Sequence, residues 1–234
     1  MTHQDLASQF WKNENEIAGN GMDDDGNGYI DDITGWDGAS GDNDPSAVSS
    51  AMSGSPKRHT HGSHVAGIAS GATHNNSGMA SIGFNTRIMA IKTANDNYPY
   101  GLNFIGILTG MDYAIQNNAN IISMSLGGGG YSSTFQSVIN EAHDSGIVVI
   151  AAAGNNNNTS LMYPASYKNV ISVASSDVND SRSSFSTYND SVDITSPGSS
   201  IYSCLVDNGN TTGYGTKSGT SMACPMTAGV AALM

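Results

Sequence analysis

Apolar and polar positions follow two rhythms along this chain. Four short runs are almost wholly apolar: Arg87-Ile88-Met89-Ala90-Ile91-Lys92, Asn120-Ile121-Ile122-Ser123-Met124-Ser125, residues 147–153 and Val170-Ile171-Ser172-Val173-Ala174. Each predicts a strand. Two intervening segments carry helical spacing instead. Ile105, Leu108, Met111 and Ile115 recur three to four positions apart across 103–117, and residues 134–144 predict a second helix. Strands without a polar face that alternate with helices predict a parallel sheet covered on both faces, hence an α/β fold of three layers. Ligands bind outside the carboxyl ends of such strands. Ser125, Asn155 and the turn before Ser221 fall at those ends.

The chemistry concentrates in three stretches. Ser218-Gly219-Thr220-Ser221-Met222-Ala223-Cys224-Pro225 is a small-residue turn that runs into an Ala/Val/Leu/Met-rich helical segment. Ser221 therefore belongs at the start of a buried helix, where free backbone N–H groups and the positive dipole end stabilise negative charge on a nearby oxygen. Pro225 fits a first helical turn, where its missing N–H is no loss. Taken alone, the run is a capped core helix, because Ser and Thr are ordinary N-cap residues. Two other stretches change that reading. His61-Gly62-Ser63-His64-Val65-Ala66-Gly67 places a histidine on a small-residue helix, and Ala151-Ala152-Ala153-Gly154-Asn155 ends an apolar strand in an asparagine. A base, an amide donor and a nucleophile follow one another along the chain.

With these motifs the chain resembles the subtilisin-type serine proteases, the subtilases, over nearly its whole length. The resemblance implies a three-layer subtilisin-like fold with a mostly parallel central sheet, and an endopeptidase. Ser221 would be the nucleophile, His61 the general base and Asn155 the oxyanion donor. It implies too that Ser125, Leu126, Gly127 and Gly128 offer backbone to an extended substrate peptide and form one wall of the pocket for the residue before the cut. Ala152 and Gly154 would form the other wall. Tyr163-Pro164-Ala165 would lie near its base. Read as sequence, Ser125 to Gly130 is a flexible glycine loop and Asn155 to Asn158 a polar turn.

Departures from the family pattern narrow these expectations. Ser63 stands where Thr is commoner, and Met226-Thr227 stands where His-Val is usual. The strand that ends in the catalytic Asp-[Ser/Thr]-Gly finds no counterpart. Asp25-Gly26 and Asp37-Gly38 follow no apolar strand. Thr2-His3-Gln4-Asp5-Leu6 resembles the segment that comes soon after it in the family, and Met234 falls inside an apolar helical run without a Gly cap. The expectation is a single catalytic domain over residues 1–234, cut at both ends and lacking its N-terminal strand. Such a chain is expected to be nearly inactive and poorly folded. The rival expectation is a subtilase-fold protein that binds peptide or calcium without turnover.

Asp23-Asp24-Asp25-Gly26-Asn27-Gly28-Tyr29-Ile30-Asp31-Asp32 resembles the start of an EF-hand calcium loop, with oxygen ligands at alternating positions and a glycine for the sharp turn. Its twelfth position is Thr34 instead of a bidentate Glu. Many subtilases carry a similar insertion and bind calcium there, which implies Asp23, Asp25, Asn27, Asp32 and the Tyr29 carbonyl as Ca2+ ligands. Five carboxylates within this stretch repel one another without a cation. Zinc does not fit His59, His61 and His64, because the His-Glu-x-x-His spacing is absent. His3, His59, His74 and His143 carry no motif.

Charge sets the partners. Twenty Asp and Glu against eight Lys and Arg give a net charge of −12, which argues against nucleic acid and anionic membranes. No apolar run reaches the roughly 20 residues of a membrane span, and the first residues form no signal peptide. Protein or peptide substrates, a monomer and secretion are what the resemblance implies. Cys204 and Cys224 are too few for a disulfide scaffold, and sequence alone leaves their pairing open. As a residue three positions after Ser221, Cys224 is expected to be a buried packing group.

Overall fold

The computed structural model describes residues 2–46, 60–95, 98–207 and 210–234. His59 therefore lies outside the described residues. In chain order the elements are β1 (Gly35–Asp37), α1 (Thr60–Ser70), β2 (Ala90–Lys92), β3 (Ala94–Asn95), β4 (Tyr98–Leu102), α2 (Phe104–Gln116) and β5 (Ile121–Met124). They continue with α3 (Ser133–Asp144), β6 (Val148–Ala152), β7 (Val170–Ser176), β8 (Ile194–Pro197), β9 (Ile201–Asp207), β10 (Asn210–Lys217) and α4 (Thr220–Ala231).

The predicted strands and helices form within a few residues of their expected bounds. Strands β5, β6, β7 and β8 make a parallel sheet in that order, with Ser123 opposite Ile150 and Ala152 opposite Val173. Successive side chains of a strand point to opposite faces. Val149 and Ala151 accordingly join one core with Met111, Phe135 and Ile139 from α2 and α3. Ile150 and Ala152 join the other with Ala223, Cys224 and Ala228 from α4. Burial on both faces is why these strands lack polar positions. Full burial of a side chain such as Ile150 contributes about 1.5–3 kcal/mol. The fold is thus the three-layer α/β arrangement of subtilisin type.

Helix starts are set locally. Asn103 and Ser132 cap α2 and α3 by accepting from Gly106 N–H and Phe135 N–H. Helix α4 has no such side-chain cap, and its N-terminus is left to the neighbouring loop. Two expectations on α4 change. Pro225 lies inside the helix instead of in its first turn. The helix also closes at Ala231, where the Ala232 N–H bonds back to the Ala228 and Val230 carbonyls.

The sheet is interrupted. Among the described residues strand β2 pairs only with β1, in parallel, and nothing pairs with the outer edge of β5. Residues of β2 and β5 instead face one cavity of about 2070 Å³. Beyond β8, the antiparallel pair β9–β10 packs against α1 and was not expected from the hydrophobic pattern. Its Ser203 hydroxyl donates to the His64 carbonyl.

Candidate active site

The Ser221 side of the site is built by α4 meeting the carboxyl ends of β5 and β6. Thr220 opens α4, and its backbone N–H and hydroxyl both donate to Asn155 Oδ1, at 2.8 and 3.1 Å. The same hydroxyl accepts from the Gly154 N–H at 3.1 Å. Because the carbonyl end of the Asn155 amide is tied down, its Nδ2 end is turned outward with no partner among the described residues. A carbon built on Gly219, two residues before Ser221, would stand 3.5 Å from that Nδ2.

Ser125 and Ser221 hold each other. The Ser125 hydroxyl donates to the Ser221 carbonyl at 2.8 Å, and the Ser221 hydroxyl donates to the Ser125 carbonyl at 3.3 Å. Pro225 explains the first bond. In a helix the residue-225 N–H would donate to the carbonyl four residues earlier, which is that of Ser221, and proline has no N–H. Ser125 supplies the missing donor.

His61 sits in the first turn of α1, which packs against α4. Its ring reaches solvent, and it makes no hydrogen bond among the described residues. The surrounding walls desolvate it, and the Lys217 cation adds to the effect, so its pKa lies below the ordinary histidine value. A neutral imidazole can accept a proton near neutral pH. His64, the second histidine of the motif, is fully buried, with Nε2 at 3.1 Å from the Gly215 carbonyl. Burial lowers its pKa as well, so it acts as a neutral tie between α1 and β10.

All nine catalytic and substrate-side residues expected from sequence line the one cavity: His61, Asn155 and Ser221 with Ser125, Leu126, Gly127, Gly128, Ala152 and Gly154. The Gly128 N–H donates to the Tyr163 carbonyl at 2.9 Å, which ties the glycine segment to the Tyr163-Pro164 turn. Leu126 packs on the core. His61 and Ser221 share the cavity but are not hydrogen-bonded to each other.

Cys204 and Cys224 are both free and buried. Burial pushes the Cys224 thiol up to about 11 and the Cys204 thiol up to about 12, so neither is a thiolate near neutral pH.

The acidic loop lies apart from this cavity, and its geometry differs from the EF-hand pattern at one decisive place. Glu16, Asp23 and Asp25 bring one oxygen each within 4.8 Å of one another. Glu16, buried and upstream of the loop, also accepts from the Asp24, Asp25 and Asp31 N–H groups and so ties the loop from outside. No sequence spacing within the loop points to it. Asp32 is also buried, but it accepts from the Asn13 and Asn27 amides at 2.9 and 3.0 Å. Asn27 spends its amide on Asp25, Asp32 and Asn117. The Tyr29 ring packs on Trp36 and Tyr113 with its hydroxyl on Asp112 at 2.6 Å. Three converging carboxylates without a Lys or Arg ion pair among the described residues fit a hard cation.

The sequence model of the subtilase family of S8 peptidases matches residues 2–234. The chain is 42% identical over 202 residues to thermitase of Thermoactinomyces vulgaris, covering 86% of this chain and 67% of that protein. It is 39% identical over 188 residues to a thermostable alkaline protease of Halalkalibacterium halodurans, covering 79% and 50%. Subtilisin DY of Bacillus licheniformis is 38% identical over 178 residues, covering 74% and 62%. The chain spans between half and two thirds of the length of these relatives. It belongs to the subtilase family.

Proposed function

We propose that the protein is a calcium-stabilised serine endopeptidase and that this chain carries the nucleophile, the base and the oxyanion donor. The single observation that supports this most is the tethered Asn155 amide, with Oδ1 held by Thr220 and Nδ2 free beside the start of α4. His61 takes the proton from the Ser221 hydroxyl as its oxygen bonds to the scissile carbonyl carbon. The carbonyl π pair moves onto oxygen, and the Asn155 Nδ2–H with the Ser221 backbone N–H hold that charge. Collapse re-forms the carbonyl, breaks the C–N bond, and passes the proton from His61 to the departing amine. Water then repeats the sequence on the acyl-enzyme. Ser125 to Gly128 and Ala152 to Gly154 hold the peptide backbone from two sides.

A carboxylate to orient His61 completes the triad in our reading. It belongs on an extended segment filling the cavity between β2 and β5, where two parallel strand edges stand unpaired among the described residues. Without a carboxylate there, His61 lacks an orienting partner and turnover is slow. Glu16, Asp23 and Asp25 would hold the calcium ion, which there neutralises their mutual repulsion and pins the loop. Secretion and a monomeric state follow the family. No helix among the described residues is long and apolar enough to cross a membrane.

One experiment tests both parts. A fluorophosphonate probe added to the intact protein in calcium should label Ser221 alone, and chelation should lower the melting temperature. Saturating a site at about 100 times its Kd contributes roughly 2.7 kcal/mol. A folded, calcium-loaded preparation in which Ser221 stays unlabelled would sink the enzyme reading and leave the non-catalytic peptide binder. A melting temperature indifferent to chelation would remove the calcium.

A further inference from the structure

We infer that Met162 plugs the pocket for the residue before the cut, so that the enzyme cleaves after small side chains and rejects aromatic ones. The inference rests on the peptidase reading above. It comes from what the two glycine walls face. A carbon built on Gly127 would stand 3.3 Å from Met162 Cγ and 3.6 Å from its sulfur. A carbon built on Gly154 would stand 3.0 Å from Met162 Cε and 3.3 Å from Cγ. The thioether therefore spans the space between the walls, inside the cavity that also holds Ser221. A substrate side chain entering between Gly127 and Gly154 meets it directly.

The plug is held from behind. The Met162 N–H donates to the Ser166 hydroxyl at 3.1 Å, and the Ser166 N–H donates to the Met162 carbonyl at 2.8 Å. The next residue, Tyr163, receives the Gly128 N–H, so the backbone under the plug is fixed to the wall itself. These bonds tie the backbone, and the side chain of Met162 is the part left to shift. Its unbranched thioether chain can shift for a small guest, but an aromatic ring needs the whole volume that the side chain fills. The side chain already lies against both glycines, so a ring cannot enter beside it and must displace it.

The test uses two peptide anilides that differ only in Ala or Phe before the cut, with the intact protein, Met162→Leu and Met162→Gly. The parent should prefer Ala. Met162→Gly should raise the Phe-to-Ala ratio of kcat/KM by on the order of 10- to 200-fold, the range that apolar pocket volume supplies. Met162→Leu, similar in volume, should keep the parental ratio. A parental ratio in Met162→Gly, or a parent that favours Phe, overturns the inference. The same ratio is read independently from the binding of product peptides ending in Ala or Phe to Ser221→Ala protein. If Ser221 resists the fluorophosphonate probe, the peptidase reading fails while the binding ratio still decides what Met162 does.

Discussion

The two sides of the cleft are held in opposite ways. On the side of the proposed nucleophile, Thr220 joins Gly154 to Asn155 by hydrogen bonds and Ser125 and Ser221 bond each other reciprocally, all between 2.8 and 3.3 Å. On the base side, His61 has no hydrogen bond among the described residues, and the cavity between β2 and β5 opens beside α1. The difference separates two tasks. Charge stabilisation needs donors already aimed before reaction, and in the proposed mechanism the sheet ends and α4 would supply them from this chain's own secondary structure. Proton transfer needs an imidazole fixed in one tautomer, and that depends on what fills the gap. The oxyanion side is therefore expected to be in place before the base side is.

The largest expected break in this comparison is Asn155→Asp. Aspartate keeps an oxygen for the Thr220 N–H, so the turn should survive, while the free amide donor is replaced by an acceptor. In the intact protein kcat should fall by about 10²–10³-fold or more, a range known from subtilisin for loss of this donor and not a result of the present geometry. KM and the melting temperature should change little. A variant with near-normal kcat would mean that the tethered amide does not face the developing charge.

A smaller effect probes the bond that Pro225 makes necessary. Ser125→Ala leaves the Ser221 carbonyl without its donor and should destabilise the fold by about 1 kcal/mol. Pro225→Ala returns a helical N–H to that carbonyl, so Ser125→Ala should cost less in that background. Denaturant melts of the four proteins give the coupling directly, with about 0.5–3 kcal/mol expected for partners in contact. Strict additivity would show that Ser125 and Pro225 do not share the Ser221 carbonyl.

How much of this was readable in the residues divides along the same line. Periodicity revealed α2, α3 and the strands β5 to β7, because Ile150 and its neighbours are buried on both faces and leave no polar positions. The serine, histidine and asparagine motifs carried the resemblance that implied one cleft, whereas read alone the serine run was a capped helix, the asparagine run a polar turn and the glycine run a loop. Long-range features escaped. Glu16 reaches the acidic loop from outside its repeat. Met162 sits in the short run Leu161-Met162-Tyr163, with no periodicity to mark it. The β9–β10 pair, with Tyr202 opposite Thr216 and Cys204 opposite Tyr214, mixes polar and apolar positions and reads as loop. The Asn208-Gly209 pair in its sequence was the available turn signal, though those two residues lie outside the described ones.

The smallest effect concerns the base side alone. Burial is the larger cause of the lowered His61 pKa and the Lys217 cation the smaller. Lys217→Ala removes a positive charge that opposes protonation, so the His61 pKa should rise toward the ordinary histidine value. The acid limb of kcat/KM against pH should then move to higher pH, and the variant should lose activity first as the solution is acidified. Added salt should move the parent the same way by screening Lys217 and should move the variant less. Stability shares the sign. His61 and His64 both have lowered folded pKa values, so the unfolded chain takes up protons first, and stability falls as pH drops from the ordinary histidine range through the folded values. An acid limb that moves to lower pH in Lys217→Ala, or that ignores salt in the parent, would mean that His61 titrates out of reach of Lys217. The base would then already be oriented by something other than the walls described here.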